Sequence, residues 1–175
     1  MITRHGALVT TYFVMSPTNA SLRPPPRPPK SAPPRIRVGS AIANSMLEEG
    51  HEVSVLDEDA EAIALLDRGQ ANSWEERGGQ FTEGTALEID ALLAAGIERA
   101  DAFVASTDGD NTNLVIAQIA RRRFNVDRVV VRVLDPARAR WYAEQGLQTV
   151  CPTQTAIELL EAAVRGQIRF EGVAG

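Results

Sequence analysis

Gly39 and Asp57 are the two residues whose types and spacing point most directly to chemistry. A carboxylate at the end of a buried strand can accept hydrogen bonds from both hydroxyls of a ribose. In dinucleotide-binding units it stands roughly twenty residues beyond a glycine turn that holds the pyrophosphate. Asp57 lies eighteen positions after Gly39 and directly follows the apolar run Val53-Ser54-Val55-Leu56. The chemistry implied is nucleotide recognition. The full fingerprint needs three glycines: one for the tight turn, one for close approach of the backbone to the phosphates, and one for packing helix on strand. Only the third is present, as Gly39, while Pro34 and Ile36 stand in the first two places.

Each candidate also has a plain reading. Asp57 at a strand end could cap the helix that follows. Arg132 could pair with Asp101 or Asp135 as a structural ion pair. Thr107, Asp108 and Asn111 suit a loop and a helix start. His51 reads as a turn residue, Cys151 as a core filler at a strand end, and Trp141 with Tyr142 as packing or interface residues. The single cysteine leaves no zinc cluster and the lone His51 has no partner cluster, so no catalytic or metal-binding residue is expected.

These side chains need a scaffold. Gly39, Ser40, Ala41 and Ala43 are small enough to let a helix lie close to a sheet, with Val38, Ile42 and Met46 on one face of it. Gly50 ends that helix, and Val53 to Leu56 make the strand that carries Asp57. The alternation then repeats: a helix over 58–68, a polar loop over 70–79, a short strand at Phe81-Thr82, a helix over 87–95 and a strand over 102–106. A helix over 113–124, a strand over 129–133, a helix from Asp135-Pro136 to Gly146, a strand over 149–151 and a helix over 153–167 follow. Strands alternating with helices of this length predict a parallel sheet covered on both faces, a single Rossmann-like doubly wound α/β domain. In the strand order 3-2-1-4-5-6 the first strand is central, so some segment must fill its place; Ala7–Met15 is the apolar candidate.

At 175 residues the chain suits one domain with a substantial core. No run is apolar enough to span a membrane, and the single cysteine excludes a disulfide framework and fits a reducing cytoplasm. Residues 1–36 form a Pro-rich, largely unstructured segment holding eight of the ten prolines. Residues 1–35 carry five basic residues and no acid, so the net −5 splits into +5 on this segment and −10 on the rest. So acidic a body argues against broad contacts with nucleic acid. Three readings of the basic segment compete: a weak targeting peptide, a Pro-rich ligand for a partner, or a displaced start that cost the domain its glycine turn; the third is favoured because the missing glycines coincide with the change in composition.

The order of features resembles the TrkA-N (RCK) nucleotide-binding domain of the cytosolic regulatory subunits of Trk and Ktr potassium-uptake systems. The matching text is Arg37-Val38-Gly39-Ser40, Gly50-His51-Glu52-Val53, Asp57, Glu83-Gly84-Thr85 and Ala100-Asp101-Ala102. It continues through Thr107-Asp108-Gly109-Asp110-Asn111-Thr112-Asn113, Val130-Val131-Arg132-Val133, Asp135-Pro136, Gly146 and Cys151-Pro152-Thr153. The resemblance implies a nucleotide-binding domain over 37–152 and a crossover-type helix and tail over 153–175, with no ligand-sensing lobe beyond it. It implies NAD(H) or ATP/ADP as ligand, with Arg37, Val38 and Gly39 at the phosphates and Asp57 at the ribose. Glu83, Gly84 and Thr85 would line the adenine side, and Thr107, Asp108 and Arg132 would border the cofactor beyond the fourth and fifth strands.

The family reading further implies a regulatory module rather than an enzyme, a homo-oligomer that gates a potassium-transporting membrane subunit from the cytoplasmic side without entering the bilayer. Two alternatives stay open. A NAD-dependent oxidoreductase would need a substrate domain and a positioned acid or base, for which the sequence offers no histidine beyond His51. A degenerate subunit would act as a partner without binding nucleotide.

Overall fold

The computed structural model describes residues 6–10 and 38–168. Six strands form one parallel sheet in the order β3-β2-β1-β4-β5-β6. The strands are β1 Gly6–Thr10, β2 Glu52–Asp57, β3 Gln80–Glu83, β4 Ala102–Ala105, β5 Arg128–Arg132 and β6 Gln148–Val150. The helices are α1 Val38–Glu48, α2 Ile63–Leu66, α3 Ile89–Ala94, α4 Asp110–Arg123, α5 Pro136–Glu144 and α6 Pro152–Val164. This is the doubly wound Rossmann-like order: successive strands are added outward on one side from β1 to β3 and then on the other from β4 to β6, so the switch point falls between β1 and β4.

The central place is filled by Gly6–Thr10, which pairs with β2 from Gly6↔Glu52 to Thr10↔Leu56 and with β4 from Ala7↔Ala102 to Thr10↔Ala105. Residues 11–15 of the expected strand, the Pro-rich stretch and Arg37 lie outside the described residues.

Two apolar cores cover opposite faces, as the two-residue period of a strand requires. Val53 and Val55 point into a cluster with Ala43, Leu66 and Trp74. Leu56 points the other way and shares its register row with Ala105 and Val131, in the larger cluster with Phe103, Leu92, Leu114 and Ile116. Helices α1 and α2 therefore serve one face, and α3, α4 and α5 the other.

Several local expectations are corrected. The buried edge of α1 is Gly39, Ser40 and Ala43, while Val38 is exposed and Ile42 and Met46 only flank the contact. The helix over 58–68 is reduced to the 3-10 turn Ala60–Ala62 and one turn of α helix, because Asp59 rather than Asp57 caps it by accepting the Glu61 N–H at 2.9 Å. The loop over 70–79 is not wholly polar: Trp74 is fully buried, with its indole N–H donated to the Gln80 carbonyl at 3.0 Å. Its ring passes so close to Gly79 that a Cβ there would stand 2.1 Å from it.

Helix α6 departs most from expectation. It has no buried residue, and Ile157, Leu159, Leu160 and Val164 are all exposed. It therefore does not cover the sheet beside α1, and Val104 and Val130 on that face are only half-buried.

Candidate functional site

Parallel strands present their carboxyl ends on one rim of the sheet, and in an open sheet of this order the crevice at the switch point is where ligands bind. All the described strand-end candidates lie on that rim. Asp57 ends β2, Glu83 ends β3 in register with it, Thr107 and Asp108 follow β4, and Arg132 ends β5. The end of β1, Thr10, stands between the two groups.

On the β2–β3 side, Asp57 is fully buried and one of its carboxylate oxygens accepts the Asp59 N–H at 3.0 Å. This short turn brings the chain off the strand and leaves the helix capping to Asp59. Gly84 donates its N–H to the Asp57 carbonyl at 2.9 Å, so the β3 turn is tied directly to the residue that carries the carboxylate. Gly84 has φ 158°, and a Cβ there would lie 3.0 Å from the Ala91 Cβ. The glycine therefore lets the β3 turn pack closely against α3 and Leu56. Thr85 accepts the Leu87 N–H on its hydroxyl at 3.3 Å, which opens the segment leading to α3. Glu83 is exposed.

On the β4–β5 side a polar network replaces a simple loop. Thr107 is buried; its N–H reaches Asn113 Oδ1 at 2.7 Å and its carbonyl accepts from Asn113 Nδ2 at 2.9 Å. The same Nδ2 donates to the Arg132 carbonyl at 2.9 Å. One Arg132 Nη donates to the Thr107 carbonyl at 2.6 Å and meets Asp108 at 3.2 Å. The ion pair of Arg132 is thus with Asp108, not with Asp101 or Asp135. Arg132 Nε is buried and has no hydrogen-bond partner. Next to it Asp110 accepts the N–H groups of Leu134 and Asp135 at 2.8 and 3.2 Å, and Asp135 caps α5 through Ala137 and Arg138.

The fully buried Asn113 was the functional residue that sequence reasoning passed over. It stands one turn into α4, where an asparagine reads as an ordinary helix-start residue; only the pairing of β4 with β5 shows that it bridges both strands. Of the remaining candidates, Gly39 is buried where α1 packs on the sheet, Val38 is exposed at the first position of that helix, and Arg37 lies outside the described residues. His51 precedes β2, on the rim opposite these residues. The rim thus gathers the buried carboxylate of Asp57, the Gly84 turn tied to it and the guanidinium of Arg132 paired with Asp108.

A doubly wound α/β domain with its polar candidates gathered on the carboxyl rim is the class defined by this geometry. Within that class the chain belongs to the TrkA-N domain family, whose model matches residues 37–153. It is 39% identical over 125 residues to a protein of Streptomyces coelicolor named Trk system potassium uptake protein TrkA, covering 71% of this chain and 53% of the relative. The chain thus spans about half the length of that relative. Among solved structures it is similar to the Kef C-terminal domain of Shewanella denitrificans in an AMP-bound form, at 19% identity and TM-score 0.60, covering 93% of this chain and 83% of that one. It is also similar to the GsuK channel bound to NAD, at 13% identity and TM-score 0.53, covering 85% of this chain and 21% of that one. These structural likenesses concern the fold.

Proposed function

We propose that this chain binds an adenine nucleotide, NAD(H) or ATP/ADP, across the carboxyl rim of its sheet, and that it serves as the regulatory part of a potassium-uptake system. The observation that carries the reading is the buried carboxylate of Asp57 at the end of β2, next to the central strand and joined through its own carbonyl to Gly84. Ribose hydroxyls would bind Asp57, the adenine would pass over Gly84 and Thr85 beside Glu83, and the phosphates would run toward Arg37, Val38 and Gly39. Arg132, Thr107 and Asp108 would meet the distal part of the ligand. The AMP and NAD named for the two solved structures support an adenine-containing ligand for this family.

The transport role rests on the name of the Streptomyces relative, and with it a potassium-transporting membrane subunit as partner at the inner face of the membrane. Among the described residues no helix is long and apolar enough to cross a membrane. A homo-oligomer is supported by the exposed apolar residues of α6 together with the half-buried strip Val104–Val130 on the sheet. The module works by binding and coupling rather than by turnover. Among the described residues no histidine lies on the carboxyl rim to serve as an acid or base for hydride transfer. Calorimetric titration with ATP, ADP, NAD+ and NADH tests the reading: saturable binding of at least one supports it, and none by all four at millimolar ligand favours the degenerate, non-binding subunit.

A further inference from the structure

A second candidate site lies at the far end of α4. Gln118, Arg121 and Arg122 on α4 face Trp141 and Tyr142 on α5, and Gln145 just after it, across a cleft of about 450 Å3. Small-molecule sites run from roughly 300 to 1,000 Å3. Eleven residues of helix, about 16 Å, separate Asp110 on the carboxyl rim from Arg121, so the cleft is distinct from the site above.

The lining is unusual for this molecule. The body beyond residue 35 is strongly acidic, yet α4 ends on Arg121, Arg122 and Arg123. Arg121 is tethered to the Gly146 carbonyl, and among the described residues neither Arg121 nor Arg122 has a carboxylate in ion-pair range. Complementing the helix dipole accounts for arginines in a last turn. It does not account for Trp141, which is 54% exposed beside them and held edge-to-face against Tyr142 with ring centroids 4.7 Å apart. An indole held against Tyr142, with solvent over much of its surface, two guanidinium groups with no carboxylate partner among the described residues and two carboxamides is the set that a nucleotide uses: stacking for the base, amide pairing for its edge, arginine for its phosphate.

We propose that the α4–α5 cleft is a second small-molecule site that takes a mononucleotide, with the base on Trp141, its edge on Gln118 and Gln145, and the phosphate on Arg121 and Arg122. The proposal does not depend on the rim site. A polynucleotide is disfavoured by the acidity of the surrounding body.

The molecule supplies its own probe, because its two tryptophans differ completely: Trp74 is fully buried in the other core cluster and Trp141 lines the cleft. The experiment is titration of the full chain with AMP, adenosine and inorganic phosphate, followed by tryptophan emission. The expected result is a saturable change with AMP that disappears in Trp141→Phe and whose midpoint rises at least tenfold in Arg122→Ala. Both substituted residues are exposed, so the fold is retained. Adenosine and phosphate alone should each bind at least tenfold more weakly than AMP, and Asp57→Ala should leave the midpoint unchanged. The proposal is overturned by the absence of a saturable change, by an equal change in Trp141→Phe, by an unaffected midpoint in Arg122→Ala, or by phosphate binding as well as AMP.

Discussion

Asn113 and Thr107 exchange two hydrogen bonds, from the Thr107 N–H to Asn113 Oδ1 at 2.7 Å and from Asn113 Nδ2 to the Thr107 carbonyl at 2.9 Å. The side chain thereby acts as a short extra strand, satisfying backbone that β4 has left behind, and its bond to the Arg132 carbonyl holds β5 to the same point. This fixes the spacing of the rim on which Thr107, Asp108 and Arg132 stand.

Asn113→Ala should therefore cost roughly 2–4 kcal/mol of stability, because each buried polar group left without a partner costs about 1–3 kcal/mol. Nucleotide affinity should also fall, since the Arg132 carbonyl loses the Asn113 amide donor that holds its strand end. Urea unfolding and binding calorimetry on the same variant check both effects. Unchanged stability would mean that water replaces the asparagine and the clasp has no organising role.

The exposed stripe of α6 leads to a prediction about assembly. Burying one leucine side chain is worth about 1.5–3 kcal/mol, and Leu160 and Val164 are among the most exposed apolar residues of the molecule. Leu160→Glu should raise the dissociation constant for self-association at least tenfold without lowering the melting temperature of the isolated subunit. Sedimentation at micromolar concentration checks it. A chain that is already monomeric before the substitution would refute the assignment of α6 as a self-association surface.

A third prediction concerns the start of the chain. Proline supplies no N–H, and the run from Pro24 to Pro34 occupies the stretch in which a phosphate turn would offer backbone donors and glycine would allow close approach. A chain in which residues 1–36 are replaced by a short apolar strand ending in Gly-x-Gly should bind nucleotide at least tenfold more tightly. Equal affinity in the two chains would show that the lost glycines do not matter here.

Much of this was legible in the sequence because the fold is written in local signals. Glycine stops, Asp135-Pro136 at a helix start and short apolar strands each report on a few neighbouring residues, and together they yield the doubly wound order. What escaped depended on partners distant in sequence. Trp74 sits among polar neighbours and becomes a core residue only when β2, α1 and α2 close around it. Asn113 needs β5 alongside β4 before its role exists. The apolar stripe of α6 is broader than one sheet face needs and so pointed to a second subunit as well as to the subunit's own sheet; the helix has no residue buried in its own subunit, and periodicity carries no information about which surface an apolar face will meet.

The central claim, that the rim holds a nucleotide through Asp57, is tested most directly by calorimetric titration of the Arg122→Ala chain with and without Asp57→Ala, so that binding in the α4–α5 cleft is weakened equally in both. A hydrogen bond to a charged group is worth about 1.5–3 kcal/mol, and 1.4 kcal/mol is tenfold in affinity. The account predicts saturable binding of ATP, ADP or NAD(H) that weakens at least tenfold when Asp57 is lost, with the circular-dichroism spectrum of the folded chain retained. The same affinity in both chains, with only a drop in melting temperature, would contradict it and leave Asp57 as a turn-forming residue alone.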